Sequence, residues 1–249
     1  MNRNWILAAA ALTLLATPAA LAKTADYAAA IGDSARPDAD KQLDAERKPA
    51  QMLALAHVRP GMKVLDLIPG KGYFTRLFSV AVGPKGYVYA YQPSELDGFL
   101  KGKAPPVNDV ASAYKNVAVI HASVNKIVAP ESLDLVWTSQ NYHDLKDSFF
   151  APADTAQVNK AIYDALRPGG EYIVLDHAAE NGSGVRDTDT LHRIDEAVVK
   201  KEVLAAGFKL AGESNVLRNK DDKHTLKVFD PSIRHKTDQF ILIFRKPGK

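Results

Sequence analysis

The 249-residue sequence contains no cysteine, and that one absence removes disulfides, thiolate metal centres and cysteine nucleophiles together. Strong charge of either sign is also missing. Its 32 Lys and Arg stand against 29 Asp and Glu, a formal charge of +3, and the basic residues are dispersed. Nucleic acid and anionic membrane surfaces are therefore not expected as main partners. Internal repeats and low-complexity tracts are lacking too, which excludes solenoids and propellers. The apolar run Trp5 to Ala16 is shorter than the ~20 residues that a membrane span requires. It follows Arg3 and precedes Thr17-Pro18-Ala19-Ala20-Leu21-Ala22, with Ala20 and Ala22 at the small-residue positions of a signal-peptidase site. Residues 1–22 are expected to be a cleaved secretory signal, and the mature chain to be periplasmic or secreted with no stable membrane insertion.

What is present is enough apolar residue, 46%, to bury one good core. The expected division is a signal at 1–22, an N-terminal extension and helix at 23–47, and one domain at 48–249. The Ala/Asp-rich stretch from Lys23 to Ala39 reads as an extended or mobile lead-in, followed by helices at Asp40 to Arg47 and from Pro49. From Lys63 the pattern alternates. Strands are predicted at 63–67, 87–91, 117–120, 133–138 and 171–175, with intervening helices at 73–82, 94–100, 109–114 and 153–166. Ala178 to Thr190 reads as a loop, and a helix follows at 194–206. Two closing strands at 208–216 and 240–244 flank a charged stretch, Lys220 to Lys236, that reads as too polar for a core. Alternating strands and helices give a doubly wound, mostly parallel α/β sheet. No helical pattern separates the last two strands, so they are expected to pair antiparallel at the sheet edge.

The chemistry centres on VLDLIPGKGYFT, Val64 to Thr75, a strand–turn–helix with an acid near the strand end and glycines at Gly70 and Gly72. Glycine admits close backbone approach, and the helix N-terminus offers unpaired N–H groups. A dinucleotide fingerprint fits poorly, because its third glycine would fall on Thr75. After the fourth strand comes Thr138-Ser139-Gln140-Asn141-Tyr142-His143, at the sheet edge where ligands of open α/β sheets bind. Asp176 and His177 follow the fifth strand, and His192-Arg193 follow the loop. His143 is a candidate general base, with Asn141 or Tyr142 orienting an acceptor. Asp176, His177 and His192 are candidates to meet it over one crevice. His143, Asp176, His177 and His192 have metal-ligand chemistry but no close spacing such as H-x-x-x-H, so no metal is expected. Arg193 is read as a structural ion pair with Asp176 or Asp195.

In strand order and in these motifs the chain resembles the class I S-adenosylmethionine-dependent methyltransferases, over roughly residues 48 to 247. Arg47-Lys48-Pro49, Pro69-Gly70-Lys71-Gly72-Tyr73-Phe74-Thr75, Asn141-Tyr142-His143-Asp144, His192-Arg193-Ile194-Asp195 and Thr237-Asp238-Gln239-Phe240 are similar to phrases of exported bacterial predicted methyltransferases, a likeness that brings no substrate with it. The resemblance implies a seven-strand Rossmann-like sheet with an antiparallel final strand and S-adenosyl-L-methionine as cofactor; the expected activity is methyl transfer to an unidentified small-molecule acceptor. It also implies cofactor contacts at Asp66, Ile68, Pro69, Gly70, Gly72, Gln92, Ser123 and Ser139. Three positions depart from the family pattern. Ile68 stands where a glycine is usual, Gln92 where an acid takes the ribose hydroxyls, and Ser123 where an Asp meets the adenine amine. The alternative is a non-catalytic or repurposed methyltransferase fold that binds a ligand in the cell envelope.

Overall fold

The computed structural model describes residues 27–150 and 153–248; the expected signal at 1–22 lies outside the described residues. Four short helices, α1 (Tyr27–Gly32), α2 (Asp38–Lys41), α3 (Asp44–Arg47) and α4 (Pro49–Leu55), lead into β1 (Lys63–Leu67) and α5 (Tyr73–Val82). Then follow β2 (Tyr87–Pro93), α6 (Asp97–Leu100), α7 (Asn108–Ala113), β3 (Val117–Ala122) and β4 (Leu133–Ser139). The chain continues through α8 (Thr155–Ala165), β5 (Leu166–His177), α9 (Thr188–Leu191), α10 (Glu196–Ala205), β6 (Lys209–Ser214) and β7 (Gln239–Arg245). The seven strands form one sheet in the order β3-β2-β1-β4-β5-β7-β6. β1 pairs in parallel with β2 and β4, and β4 with β5, whereas β7 runs antiparallel between β5 and β6. The expected doubly wound sheet with an antiparallel end is the observed one.

Strand alternation sends side chains to two cores. Val64 of β1 packs with Leu53, Leu77 and Trp137 on one face, while Leu65 and Leu67 pack with Ile162, Val199 and Tyr172 on the other. Helices α8 and α10 begin where a side chain satisfies free backbone N–H groups. Asp154 caps α8 through Ala156 and Gln157, and Asp195 caps α10 through Ala197. Helix α5 buries nine of its ten residues, which one sheet face cannot achieve alone. The N-terminal helices cover its other side.

That cover corrects the expected lead-in at 23–39. Within its described part α1 is helical with Ala30 fully buried, and the Tyr27 hydroxyl sits 3.1 and 2.9 Å from the carbonyl oxygens of Leu53 and Val58. Ion pairs then join the segment to α5. Arg36 forks onto Asp44, which also accepts from the Tyr73 hydroxyl at 2.7 Å, and Asp40 pairs with Arg76 at 3.0 Å. The lack of an apolar period in the segment hid this, because much of its docking is polar. The stretch 220–236 is corrected in the same sense. Asp222 and Val228 within it are buried, and Asp222 holds Arg193 at 2.9 Å in place of the expected Asp176 or Asp195.

Candidate functional site

Strand order reverses between β1 and β4, and a cavity of about 430 Å³ opens beside the C-terminal ends of these strands, where ligands of such sheets bind. Nine sequence-predicted residues line it: Asp66, Ile68, Pro69, Gly70, Ser139, Asn141, His143, His177 and His192. Asp40, Arg47, Asp144, Val228 and Phe229 also line it.

At the β1 end, Asp66 is 3% exposed and accepts a hydrogen bond from the Thr75 hydroxyl at 2.6 Å. Burial pushes its pKa up to about 7, and the Thr75 bond and the Arg47 charge only partly oppose this. Arg47 lies over the Tyr73 and Phe74 rings, 4.7 and 5.9 Å from their centroids, and donates weakly to Gln140 at 3.4 Å. It is a guanidinium that faces the cavity, with Asp40, Asp66 and Glu46 near enough to act on its charge. The connection from β1 to α5 is left-handed at three points, Ile68 at φ 58°, Gly70 at φ 58° and Gly72 at φ 79°. A branched side chain rarely adopts that conformation. Ile68 is held there by its own N–H, which donates to Tyr91 O at 3.0 Å, and by Asn141 Nδ2, which donates to its carbonyl oxygen at 3.1 Å. A Cβ added at Gly70 would meet nothing within 4 Å, so Gly70 presents open backbone to the cavity.

Five expected site residues are placed elsewhere. A Cβ on Gly72 would lie 2.5 Å from Val110 Cγ2, so that glycine admits α7, not a ligand. Gln92 is buried in β2 in register with His121, outside the cavity lining. The Ser123 hydroxyl donates to Glu95 at 2.6 Å and accepts from Asn125 N, a turn cap. Tyr142 points into the core, donating to Glu202 and accepting from Asn159, both at 2.8 Å. Asp176 has no exposed surface and stands behind His143, not in the cavity.

At the β4–β5 end, Asp176 accepts from the His143 backbone N, the His143 ring Nδ1 and the His177 backbone N, each at 2.8 Å. His143 Nε2 then faces His192 Nδ1 and Asp144 Oδ1, both at 3.2 Å. Burial disfavours charge on His143, but the Asp176 and Asp144 carboxylates outweigh it and hold its pKa up to about 10. In the metal-free chain these carboxylates favour the charged imidazole, which works against the general-base role expected from sequence. His177 behaves oppositely. Burial drives its pKa down to about 3, and its Nδ1 lies 2.8 Å from the Thr237 hydroxyl. Sequence reading missed Arg47, Asp144 and Asp147. A signal for the two acids existed in His143-Asp144-Leu145-Lys146-Asp147, because a 3₁₀ turn over His143–Lys146 stacks residues three apart.

No family model matches the chain. A ubiquinone/menaquinone biosynthesis C-methyltransferase, UbiE, from Methylococcus capsulatus is 30% identical over 142 residues, covering 55% of this chain and 52% of that relative. A UbiE from a Shewanella species is 27% identical over 179 residues, covering 70% of this chain and 66% of that relative. The chain thus spans between about half and two thirds of the curated relatives it matches. Among solved structures, a SAM dependent methyltransferase from Aquifex aeolicus superposes with a TM-score of 0.56 at 20% identity, covering 84% of this chain and 98% of that one. The [4+2]-cyclase SpnF superposes equally well, TM-score 0.56 at 17% identity, covering 85% and 82%. Sheet order, the turn after β1 and these likenesses agree: the chain has the class I S-adenosylmethionine-dependent methyltransferase fold.

Proposed function

We propose that the chain binds S-adenosyl-L-methionine in this cavity and transfers its methyl group to a small-molecule acceptor. The observation that carries the reading is the turn Asp66–Gly70, which lines the cavity at the strand-order reversal with Gly70 open in the left-handed conformation. The fit to the cofactor is good at its amino-acid end. Arg47 is a guanidinium that suits the methionine carboxylate, and ionised Asp66 suits a cationic group. When bound, the cofactor supplies a methyl group activated by its sulfonium. The chain's residues then have to align the acceptor for in-line attack and exclude water. A positive charge held at His143 by Asp176 and Asp144 suits an acceptor that develops negative charge on oxygen, such as an enol or phenol methylated at carbon.

Isothermal titration with S-adenosylmethionine and its demethylated product tests the reading. Micromolar binding abolished by Gly70→Val supports it, and no binding at millimolar ligand sinks it. His143→Ala is expected to lose turnover while keeping cofactor affinity. One observation favours the repurposed, non-catalytic reading: Gln92 and Ser123, at the positions implied for ribose and adenine, are withdrawn from the cavity. Binding of other envelope ligands with no cofactor affinity is the result that selects it. We further infer export, with cleavage after Ala22; an N-terminal sequence of the mature protein that retains residues 1–22 overturns this.

A further inference from the structure

We propose that His143 Nε2, His192 Nδ1 and the carboxylates of Asp144 and Asp147 form a binding site for one divalent transition-metal ion of the zinc type. One ligand atom from each residue lies within 4.8 Å of all the others. Three of the six separations are close to those of a filled site. His143 Nε2 is 3.2 Å from both His192 Nδ1 and Asp144 Oδ1, and His192 Nδ1 is 3.8 Å from Asp144 Oδ1. Tetrahedral coordination with bonds of ~2.0–2.1 Å places its ligand atoms ~3.3 Å apart. The ion therefore requires small side-chain movements only.

Asp147 supplies an independent reason. It is 2% exposed, and neither carboxylate oxygen has a hydrogen-bond partner. The nearby Thr188 hydroxyl is directed at the Val185 carbonyl oxygen at 3.3 Å. A buried carboxylate whose one nearby hydroxyl is turned to another acceptor is costly, and it faces Asp144 across the same small space. A hydrogen-bonded His–His–Asp network would satisfy His143, His192 and Asp144 but leave Asp147 unexplained. A cation explains all four.

The support behind the ligands has the form that metal sites use. Asp176 Oδ1 accepts a hydrogen bond of 2.8 Å from His143 Nδ1–H, so that Nε2 becomes the ligand atom when the incoming cation displaces its proton, while Asp176 Oδ2 accepts from the His143 backbone N–H at 2.8 Å. His192 is set by a left-handed backbone, φ 53°, at the end of α9, and its ring packs 5.0 Å from Phe229. A strained non-glycine residue persists where the surroundings fix it. Two imidazoles with two carboxylates favour zinc-type ions over magnesium or calcium, which prefer all-oxygen sets. His143, Asp144 and His192 line the cavity, so the ion would border the space assigned above to the acceptor. The proposal does not depend on that assignment, since the same four ligands hold the ion whatever the cavity binds.

The test is equilibrium dialysis of the chelator-treated chain against Zn²⁺, with Mn²⁺ and Mg²⁺ as comparators, read by elemental analysis and by thermal unfolding. The expected result is one Zn²⁺ per chain and a Zn²⁺-dependent rise in Tm. Asp147→Asn and His192→Gln, both close in shape to the originals, should each weaken zinc binding by about 10-fold or more while far-UV circular dichroism stays unchanged. Three results overturn the proposal: no saturable Zn²⁺ binding, Zn²⁺ affinity unaltered by both substitutions, or Mg²⁺ binding as tight as Zn²⁺.

Discussion

The two ends of the cavity manage buried charge in opposite ways. At the β1 end a single carboxylate, Asp66, has one hydroxyl partner and a guanidinium nearby, and burial wins, carrying its pKa up to about 7. At the β4–β5 end the carboxylates of Asp176 and Asp144 surround His143, and attraction wins over the same burial penalty, holding the imidazole up to about 10. Burial of 3% and 2% exposure is nearly equal at the two residues. What differs is the number of opposite charges within bonding distance, and that number decides whether a buried group sheds its charge or keeps it.

The comparison is broken most directly at Asp176. Asp176→Ala removes the partner of His143 and the acceptor of two backbone N–H groups, and is expected to cost about 3–5 kcal/mol in urea unfolding, the range for breaking a buried pair. Asp66→Ala strands the Thr75 hydroxyl and backbone N–H, with no buried ion pair broken, and is expected to cost about 1–3 kcal/mol. Equal costs at the two sites would remove the distinction. Next in size is Gly72→Ala. The Cβ would come within 2.5 Å of Val110 Cγ2 in a left-handed conformation, and overpacking with backbone strain is expected to cost about 2–4 kcal/mol. Val110→Ala should restore part of that loss. Cofactor affinity in the folded variant should be unchanged, whereas a glycine that met the ligand would lose affinity in both backgrounds.

Protonation of Asp66 sharpens the comparison by pH. Its folded pKa, about 7, lies above the ordinary aspartate value of 3.8, so between these limits the folded chain binds a proton that the unfolded chain has released. Stability then falls with rising pH, by up to ~1.4 kcal/mol per pH unit. The contribution is fully present below pH 3.8 and lost by the time pH has passed 7. Asp66→Asn is expected to flatten this part of the stability profile. An unchanged slope would mean that Asp66 is ionised throughout, paired more strongly with Arg47 than their positions suggest.

Much of the fold was legible because periodicity survives in the sequence. Strands such as Val64-Leu65-Asp66-Leu67 and Phe240 to Phe244 are apolar runs bounded by turns, and α8 carries Val158, Ile162 and Leu166 at helical spacing. The N-terminal helices were not legible, since Arg36, Asp40, Asp44 and Arg76 dock them through ion pairs whose partners lie up to 36 residues apart. The site divided in the same way. Asp66 and Gly70 are local to one turn and were found. Arg47, Asp144 and Asp147 acquire their meaning only when α3, the connection after β4 and the end of α9 converge. Glycine was over-read, because close approach of a ligand at Gly70 and close approach of α7 at Gly72 leave the same letter in the sequence.

The smallest expected change in stability, and the one that tests the turn itself, is Ile68→Gly. Ile68 holds a left-handed φ of 58°, which costs a residue with a Cβ about 1–2 kcal/mol, and glycine removes that strain. Against this, the Ile68 side chain is 7% exposed and packs in the core with Leu65 and Tyr91, so its removal forfeits about 1.5–3 kcal/mol of burial. The lost chain entropy of glycine adds about 0.5–1 kcal/mol. The terms nearly cancel, and the net expectation in urea unfolding is a loss of about 1 kcal/mol. Affinity should move the other way. Ile68 lines the cavity at a left-handed position that glycine adopts without strain, so Ile68→Gly opens backbone to the ligand and should tighten S-adenosylmethionine binding in titration. Reduced affinity with the same modest loss of stability would mean that the isoleucine side chain is itself a ligand contact, and that this turn holds its ligand by apolar packing and not by bare backbone alone.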